Sequence, residues 1–349
     1  MRLQSLGIVL VVLVGLGSSM PPPDPIPAPV KKSVNRGFIW LLNAQNRDGS
    51  WGNDRNHPGD ISNTAMAIMA LMNAGSTINR GKYHQQIRRA VDWSLKRIKN
   101  GLNFGGAGYQ PHHTLIQRKL GPNIDVYYAA LLLSQILPLE LEKFEEEFAR
   151  RKLRELTGMI ASFQQKNGAF EVSYEPMLTT VTAWLTLRQA HAVGISIHGA
   201  SVEKVLKYLK KECYERSTGI FREQKWGRRE RFVTQAGGLR VFYGMGREKD
   251  ADIKKACKVV LRMTFDQDVG GRAGGEEFLA ALFAVQALHI GEEKNFKRFY
   301  PKITKALIRC QNRDGSWTGH HCITAKVFCT ACSVVAMLTP NKLLPMAER

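Results

Sequence analysis

The chain has 349 residues, 44% hydrophobic and 23% charged, an ordinary globular composition with length for one large core or two modest ones. Its formal charge is +20, but the basic residues are scattered in pairs (Arg88-Arg89, Lys210-Lys211, Lys254-Lys255, Lys297-Arg298) rather than massed. That pattern predicts solvated outer faces able to meet an anionic membrane or polymer surface, and argues against nucleic acid as a partner. The densest basic stretch, "REQKWGRRERF" at 222–232, is the best single anion-binding loop.

In chain order, Arg2 precedes an apolar run at 6–16, and small residues follow at Gly17, Ser18 and Ser19. This reads as a secretory signal over 1–19, which predicts an exported protein, periplasmic or secreted; left uncleaved, the segment would be a membrane anchor. Six prolines in "PPPDPIPAPVKK" predict a stiff extended linker over 20–32. The folded body is then expected over 33–349.

Within that body, Gln, three residues, Gly, one residue and an aromatic recur at Gln45/Gly49/Trp51, Gln164/Gly168/Phe170 and Gln311/Gly315/Trp317. Degraded copies lie at Glu215/Gly219/Phe221, at Gln267/Gly271 and around Gly101 to Phe104, which makes six units. In each unit an amphipathic helix leads into the Gly turn, and a loop leads to a second helix. "KVLKYLKKE" sets Val205, Leu206 and Leu209 on one face with lysines opposite. The second helices are nearly free of charge: 61–75 and 278–291 carry no Lys, Arg or Asp beyond their first turn, 123–137 has only Asp125, and 323–338 only Lys326. A helix that is apolar all round is buried all round. The alternation predicts an all-α protein, with an inner ring of six apolar helices inside an outer ring of six amphipathic ones. The final unit is among the most apolar, which favours closure of unit six on unit one over an open superhelix of helix pairs.

The run Arg36-Gly37-x-x-Trp40-Leu41-x-x-x-Gln45-x-x-x-Gly49-x-Trp51 resembles the QW repeat of the terpenoid cyclase and protein prenyltransferase superfamily. The likeness is strongest in units one and six. It implies an (α/α)6 toroid in which Gln45, Trp51, Gln164, Phe170, Gln311 and Trp317 are structural, the amide bonding the start of a neighbouring helix and the indole packing on it. It also implies an isoprenoid or other lipid as the ligand of a central cavity. The superfamily's chemical motifs do not carry over. The protonating Asp-x-Asp-Asp is absent, with Asp250-Ala-Asp252 and Asp266-Gln-Asp268 as the nearest stretches. There is no Asp-Asp-x-x-Asp, no zinc-binding Asp-x-Cys and no Gly-Cys-Gly-Glu-Gln thioester. No cofactor is indicated.

In such a ring the loops entering the inner helices gather at one mouth, where helix dipoles favour anions. These loops carry His57 and Asp60; His112, His113, Asp125, Tyr127 and Tyr128; Tyr174 and Glu175; Arg229, Arg231 and Gln235; Asp268, Arg272, Glu276 and Glu277; and His320, His321 and Cys322. One reading is helix capping. A second is general acid–base chemistry by Asp60, His113, Asp125, Tyr128 or Glu276. A third is a metal held among His57, Asp60, His320, His321 and Cys322, although their spacing matches no recognised ligand pattern. Closure would bring His320 and His321 near His57 and Asp60. Trp184, Phe242, Phe283 and Phe328 on the second helices, with Arg231 at the mouth, are the candidate ligand-binding residues; the rings would line a pocket and stabilise a cation. Cys329 and Cys332 lie within one helix and read as small core residues, while a disulfide through Cys310 or Cys322 stays open.

Three functions remain: a toroid that binds or transforms an isoprenoid, a non-catalytic scaffold with a basic surface, and a toroidal polysaccharide lyase or hydrolase. The QW repeat argues against the last.

Overall fold

The computed structural model describes residues 26–102, 116–139, 141–170, 173–197, 199–223, 230–263, 276–320 and 323–347. His113, His321 and Cys322, and the whole of the expected signal over 1–19, lie outside the described residues.

Among the described residues six helices form the inner layer: α2 (Ile61–Met72), α5 (Ile124–Ile136), α7 (Pro176–Ala192), α9 (Phe232–Gly244), α11 (Glu277–Gly291) and α13 (Lys326–Leu338). Around them run α1 (Ala28–Ala44), α3 (His84–Lys99), α6 (Lys143–Ser162), α8 (Gly199–Tyr208), α10 (Ala251–Arg262) and α12 (Glu293–Arg309). A short helix, α4 (Ile116–Leu120), precedes α5, and a two-residue hairpin pairs Tyr214 with Phe221 and Glu215 with Ile220. Among the described residues no helix is long and apolar enough to cross a membrane.

The inner helices pack in sequence, α2 on α5, α5 on α7, α7 on α9, α9 on α11, α11 on α13, and α13 back on α2. The ring is therefore closed, as the apolar sixth unit implied. Each outer helix lies on the inner helix before it: α3 on α2, α6 on α5, α10 on α9, α12 on α11. The first outer helix, α1, has no inner helix before it among the described residues and lies on α13, joining units one and six. Composition sets these places. Every residue of α2 is buried, whereas α10 buries Ile253, Ala256, Cys257, Val259 and Val260 and turns its lysines outward.

The repeated motif is the joint between units. Gln45 Nε2 donates to Gly49 O (2.9 Å) and to Gln86 O in the first turn of α3 (3.0 Å). Gln164 reaches Ser201 O in α8 (2.9 Å), and Gln311 reaches Ser33 O in α1 (2.9 Å), which closes the circle. The amides thus brace the next outer helix through its carbonyls, not through its unpaired N–H groups. The indoles serve their own helix. Trp51 Nε1 donates to Leu41 O (2.8 Å) and Trp317 Nε1 to Leu307 O (2.7 Å), each satisfying a carbonyl that the helix end leaves without an internal partner. The Gly of the motif is required twice over. Gly49 and Gly315 have φ of 94°, and a side chain there would stand within 2.6 Å of the Arg89 or Arg36 carbonyl oxygen. Unit four, with Glu215 for Gln, ties differently: Lys255 Nζ of α10 donates to Arg216 O (2.8 Å), while Glu215 pairs with Arg222.

The linker boundary is corrected. Extended chain was expected to Lys32, but α1 begins at Ala28, with Pro27 capping it and a proline in its first turn. Proline's missing N–H costs nothing in a first turn, and Ile26, Val30 and Val34 gain burial there. Cys310, Cys329 and Cys332 are free thiols, and Cys329 Sγ lies 3.1 Å from Ile323 O.

Candidate functional site

The N-termini of the inner helices converge on one mouth, and its charged residues fall into two groups. The first joins units two to five. Lys119 Nζ, from α4, contacts Glu175 Oε1 and Glu276 Oε1, each at 2.9 Å. Arg231 contacts the other oxygens of the same carboxylates, Glu175 Oε2 at 2.6 Å and Glu276 Oε2 at 2.5 Å. The four side chains make a closed cycle of alternating charge. Lys119 stands at the start of α5 and Glu276 at the start of α11, which lie opposite one another in the ring, so the cycle bridges the mouth. Both carboxylates are buried. Burial works against the Lys119 charge, yet Glu276 and Glu175 hold its ammonium well above the usual lysine range. Glu223 sits behind the cycle, accepting from the Met177 N–H with both oxygens (3.0 and 3.1 Å). Burial, with the adjacent Glu175 charge, pushes its carboxyl up to about 8.

The second group joins units one and two and, among the described residues, holds no ion pair. Asp60 caps α2: Oδ1 accepts from the Asn63 N–H (2.8 Å) and Oδ2 from Asn63 Nδ2 (2.6 Å). Asp125, in the first turn of α5, accepts from Ser62 Oγ (2.5 Å) and Gln117 Nε2 (3.0 Å). Both residues are recessed but keep some solvent contact. Burial first, and the Asp125 charge second, raise the Asp60 carboxyl to about 7, against the hydrogen bonds from Asn63. Burial also raises Asp125, against its bonds from Ser62 and Gln117 and the more distant Arg97 charge. Both carboxyls are thus raised together in a low-dielectric recess.

The structure therefore brings Asp60 and Asp125 together and sends other expected site residues elsewhere. Glu276 and Arg231 are locked into the cycle. Tyr128 lies deeper, edge-on to Phe328 at 5.7 Å. Helices α5 and α13 are not neighbours, so this contact passes inside the ring. Trp184 is buried beside Arg240 (5.8 Å) and Phe283 is buried on α11. Phe242 differs from expectation: it packs on Phe221 of the hairpin (5.8 Å) beneath Lys210 (5.7 Å), toward the outer layer. His57 is exposed. His320 turns to unit five, with Nδ1 3.0 Å from Glu277 Oε1. Among the described residues no three His, Cys, Asp or Glu side chains converge as a metal would require.

A prenyltransferase alpha-alpha toroid domain matches at residues 28–137, 82–225, 126–277 and 246–346. The chain belongs to this toroid family. A squalene hopane cyclase, afumA of Aspergillus fumigatus, is 39% identical over 75 residues, which are 21% of this chain and 10% of that enzyme. The type II terpene cyclase MstE from Scytonema, solved in complex with geranylgeranyl dihydroxybenzoate, superposes with a TM-score of 0.56 at 15% identity, covering 90% of this chain and 98% of the other. An alpha-1,6-mannanase from Salegentibacter has a TM-score of 0.57 at 8% identity, with 90% and 99% covered. At such identities the two structures speak to the fold, which the toroid family shares between terpene and carbohydrate enzymes.

Sequence reasoning missed Lys119, Glu223, Ser62 and Gln117. Gln117 and Lys119 sit in a five-residue helix outside the repeat pattern, and Glu223 is hidden in a basic run. Ser62 had a signal: it is the polar residue right after the first apolar position of α2, beside a capping Asp.

Proposed function

We propose that this toroid takes up an isoprenoid or similar apolar chain within its ring and presents Asp60 to it as a proton donor. The reading rests on one observation above others. Asp60 is a carboxyl raised to about 7 and recessed at the mouth, with no cation within pairing distance among the described residues. A neutral acid beside a second carboxylate is what protonation of a double bond or a leaving oxygen requires. Burial first and the Asp125 charge second raise Asp60, and the bonds from Ser62 and Gln117 fix the orientation of Asp125. The apolar side chains and the Tyr128–Phe328 pair inside the ring suit an alkyl chain and, by their ring faces, a developing cation. The charge cycle closes the mouth over units two to five, which leaves the side of Asp60 and Asp125 as the entrance. The terpene cyclase likeness supports an isoprenoid as the ligand.

The test is direct. Purified full-length protein is extracted and the extract examined by mass spectrometry for isoprenoids. It is then incubated with geranylgeraniol and with squalene, as wild type and as Asp60→Asn. Bound isoprenoid, or a product that Asp60→Asn abolishes, supports the reading; neither ligand nor product would refute it.

A second reading, a non-catalytic scaffold, is favoured by the near-complete burial of the inner helices together with the bridged mouth. Its basic surface would then meet an anionic partner. We also infer export from residues 1–19; N-terminal sequencing of the mature protein tests this.

A further inference from the structure

At the far end of the ring from the mouth, Arg240 is wholly buried in α9. Its Nη2 donates to Met346 O (2.8 Å), and its Nε lies 3.4 Å from Gln286 Oε1. Its Nη1 has no hydrogen-bond partner, and neither does Nε2 of Gln286, which is equally buried on α11. Two adjacent buried donors thus lack an acceptor. Native interiors rarely leave such groups unsatisfied. Charge makes the shortage worse. Among the described residues no carboxylate pairs with Arg240, and burial together with the Arg188 charge lowers its guanidinium to about 9. Buried charges are otherwise paired or neutralised.

The surroundings are built, not accidental. Gly244, one turn beyond Arg240, has no side chain where Nη1 lies; a Cβ there would stand 2.8 Å from Nη1 and 2.4 Å from the Trp184 ring. The last turn of the chain, Pro345–Ala347, closes this end, with the Met346 N–H donating to Gln135 Oε1 (3.1 Å) while Met346 O receives Arg240. The C-terminal ends of the inner helices lend a negative potential that makes a guanidinium tolerable here. They supply no acceptor to Nη1 or to Gln286 Nε2.

We infer that Arg240 and Gln286 form a carboxylate-binding site at the closed end of the ring, in which one oxygen accepts from Arg240 Nη1 and the other from Gln286 Nε2. A single carboxylate would satisfy both donors and neutralise the guanidinium. Two sources carry this chemistry: a free carboxylic acid, and the side chain of Glu348, two residues beyond Met346 in the sequence.

The experiment measures the melting temperature of the full chain in chloride-free buffer against added acetate, for wild type, Arg240→Met, Gln286→Met and Glu348→Gln. A saturable rise in wild type that vanishes in Arg240→Met and weakens in Gln286→Met supports a site for a free carboxylate. A flat wild type with a responsive Glu348→Gln supports the same site filled by the chain itself. No saturable response in either wild type or Glu348→Gln overturns the inference and leaves the donors to water. Should Arg240→Met fail to fold, Gln286→Met and Glu348→Gln still decide the matter. Isoprenoid turnover is not read in this assay, so the site stands or falls apart from the function of the mouth.

Discussion

The two halves of the mouth carry carboxylates at equivalent places, the starts of inner helices, and treat them in opposite ways. Glu175 and Glu276 have both oxygens engaged by Lys119 and Arg231 and are sealed from solvent. Among the described residues Asp60 and Asp125 receive only neutral hydrogen bonds, and both stay partly open. A carboxylate paired twice with cations is held in its place. One bonded only by amides and hydroxyls, next to another carboxylate, keeps its proton and can part with it. The same ring of helix ends therefore yields a structural clamp on one side and a candidate acid on the other.

The largest expected effect comes from breaking the clamp. Arg231→Met leaves Glu175 and Glu276 buried with Lys119 alone, and should cost about 3–5 kcal/mol in urea unfolding. Adding Glu276→Gln should return part of that loss, because it removes one of the stranded charges. If Arg231→Met is neutral, the cycle is not a clamp and the contrast fails.

Asp60→Asn should do the reverse. The folded carboxyl sits near 7 against 3.8 for the unfolded chain, so the folded state binds more protons between those values. Wild-type stability from this group is then full below about pH 4 and falls as pH rises to 7. The variant escapes that loss while its Asn side chain still caps α2. It should match wild type near pH 4 and exceed it by about 2 kcal/mol at pH 8, a value below the full linkage because solvent reaches the recess.

Glu223→Gln applies the same logic behind the clamp. Its carboxyl is raised to about 8 from 4.5, so the wild-type penalty grows from about pH 4.5 to 8. The Gln carbonyl still accepts from the Met177 N–H. The variant should flatten the stability profile over that range, with a smaller net gain at pH 8 than Asp60→Asn because the lost acceptor lowers its stability at every pH.

The smallest effect tests the scaffold common to both halves. Gln311→Ala removes the bond that ties unit six to Ser33, and Gln45→Ala the equivalent bond inside the series. Each should cost about 1 kcal/mol. Gln311→Ala should in addition raise hydrogen exchange in α1, since that helix lies on α13 at the seam between units six and one.

The repeat made the ring legible. Gln, Gly and Trp at fixed spacing, with helices alternately charged and apolar, fix units, layers and closure, because those depend on local pattern and burial. The pairing across the mouth does not. Lys119 and Glu276 are 157 positions apart and meet only because α5 and α11 are diametric. Arg240 sits in "FVTQAGGLRVFYG", where nothing distinguishes a buried guanidinium from one that escapes to solvent. Asp60 was visible as a helix cap, and capping alone would have explained it. Its proximity to Asp125, which gives the site its chemistry, runs through Ser62 and needed the fold. The early start of α1 was obscured by prolines that read as extended chain until the helix beyond them gave them a first turn to occupy.

The account rests on the proton held by Asp60. Carboxyl 13C NMR of the selectively labelled protein, titrated as wild type and as Asp125→Asn, measures it directly. Titration of Asp60 near 7 in wild type, moving down when the Asp125 charge is removed, is the predicted result. Titration near 3.8 in both proteins would make Asp60 an ordinary helix cap and contradict the assignment of an acid at the mouth.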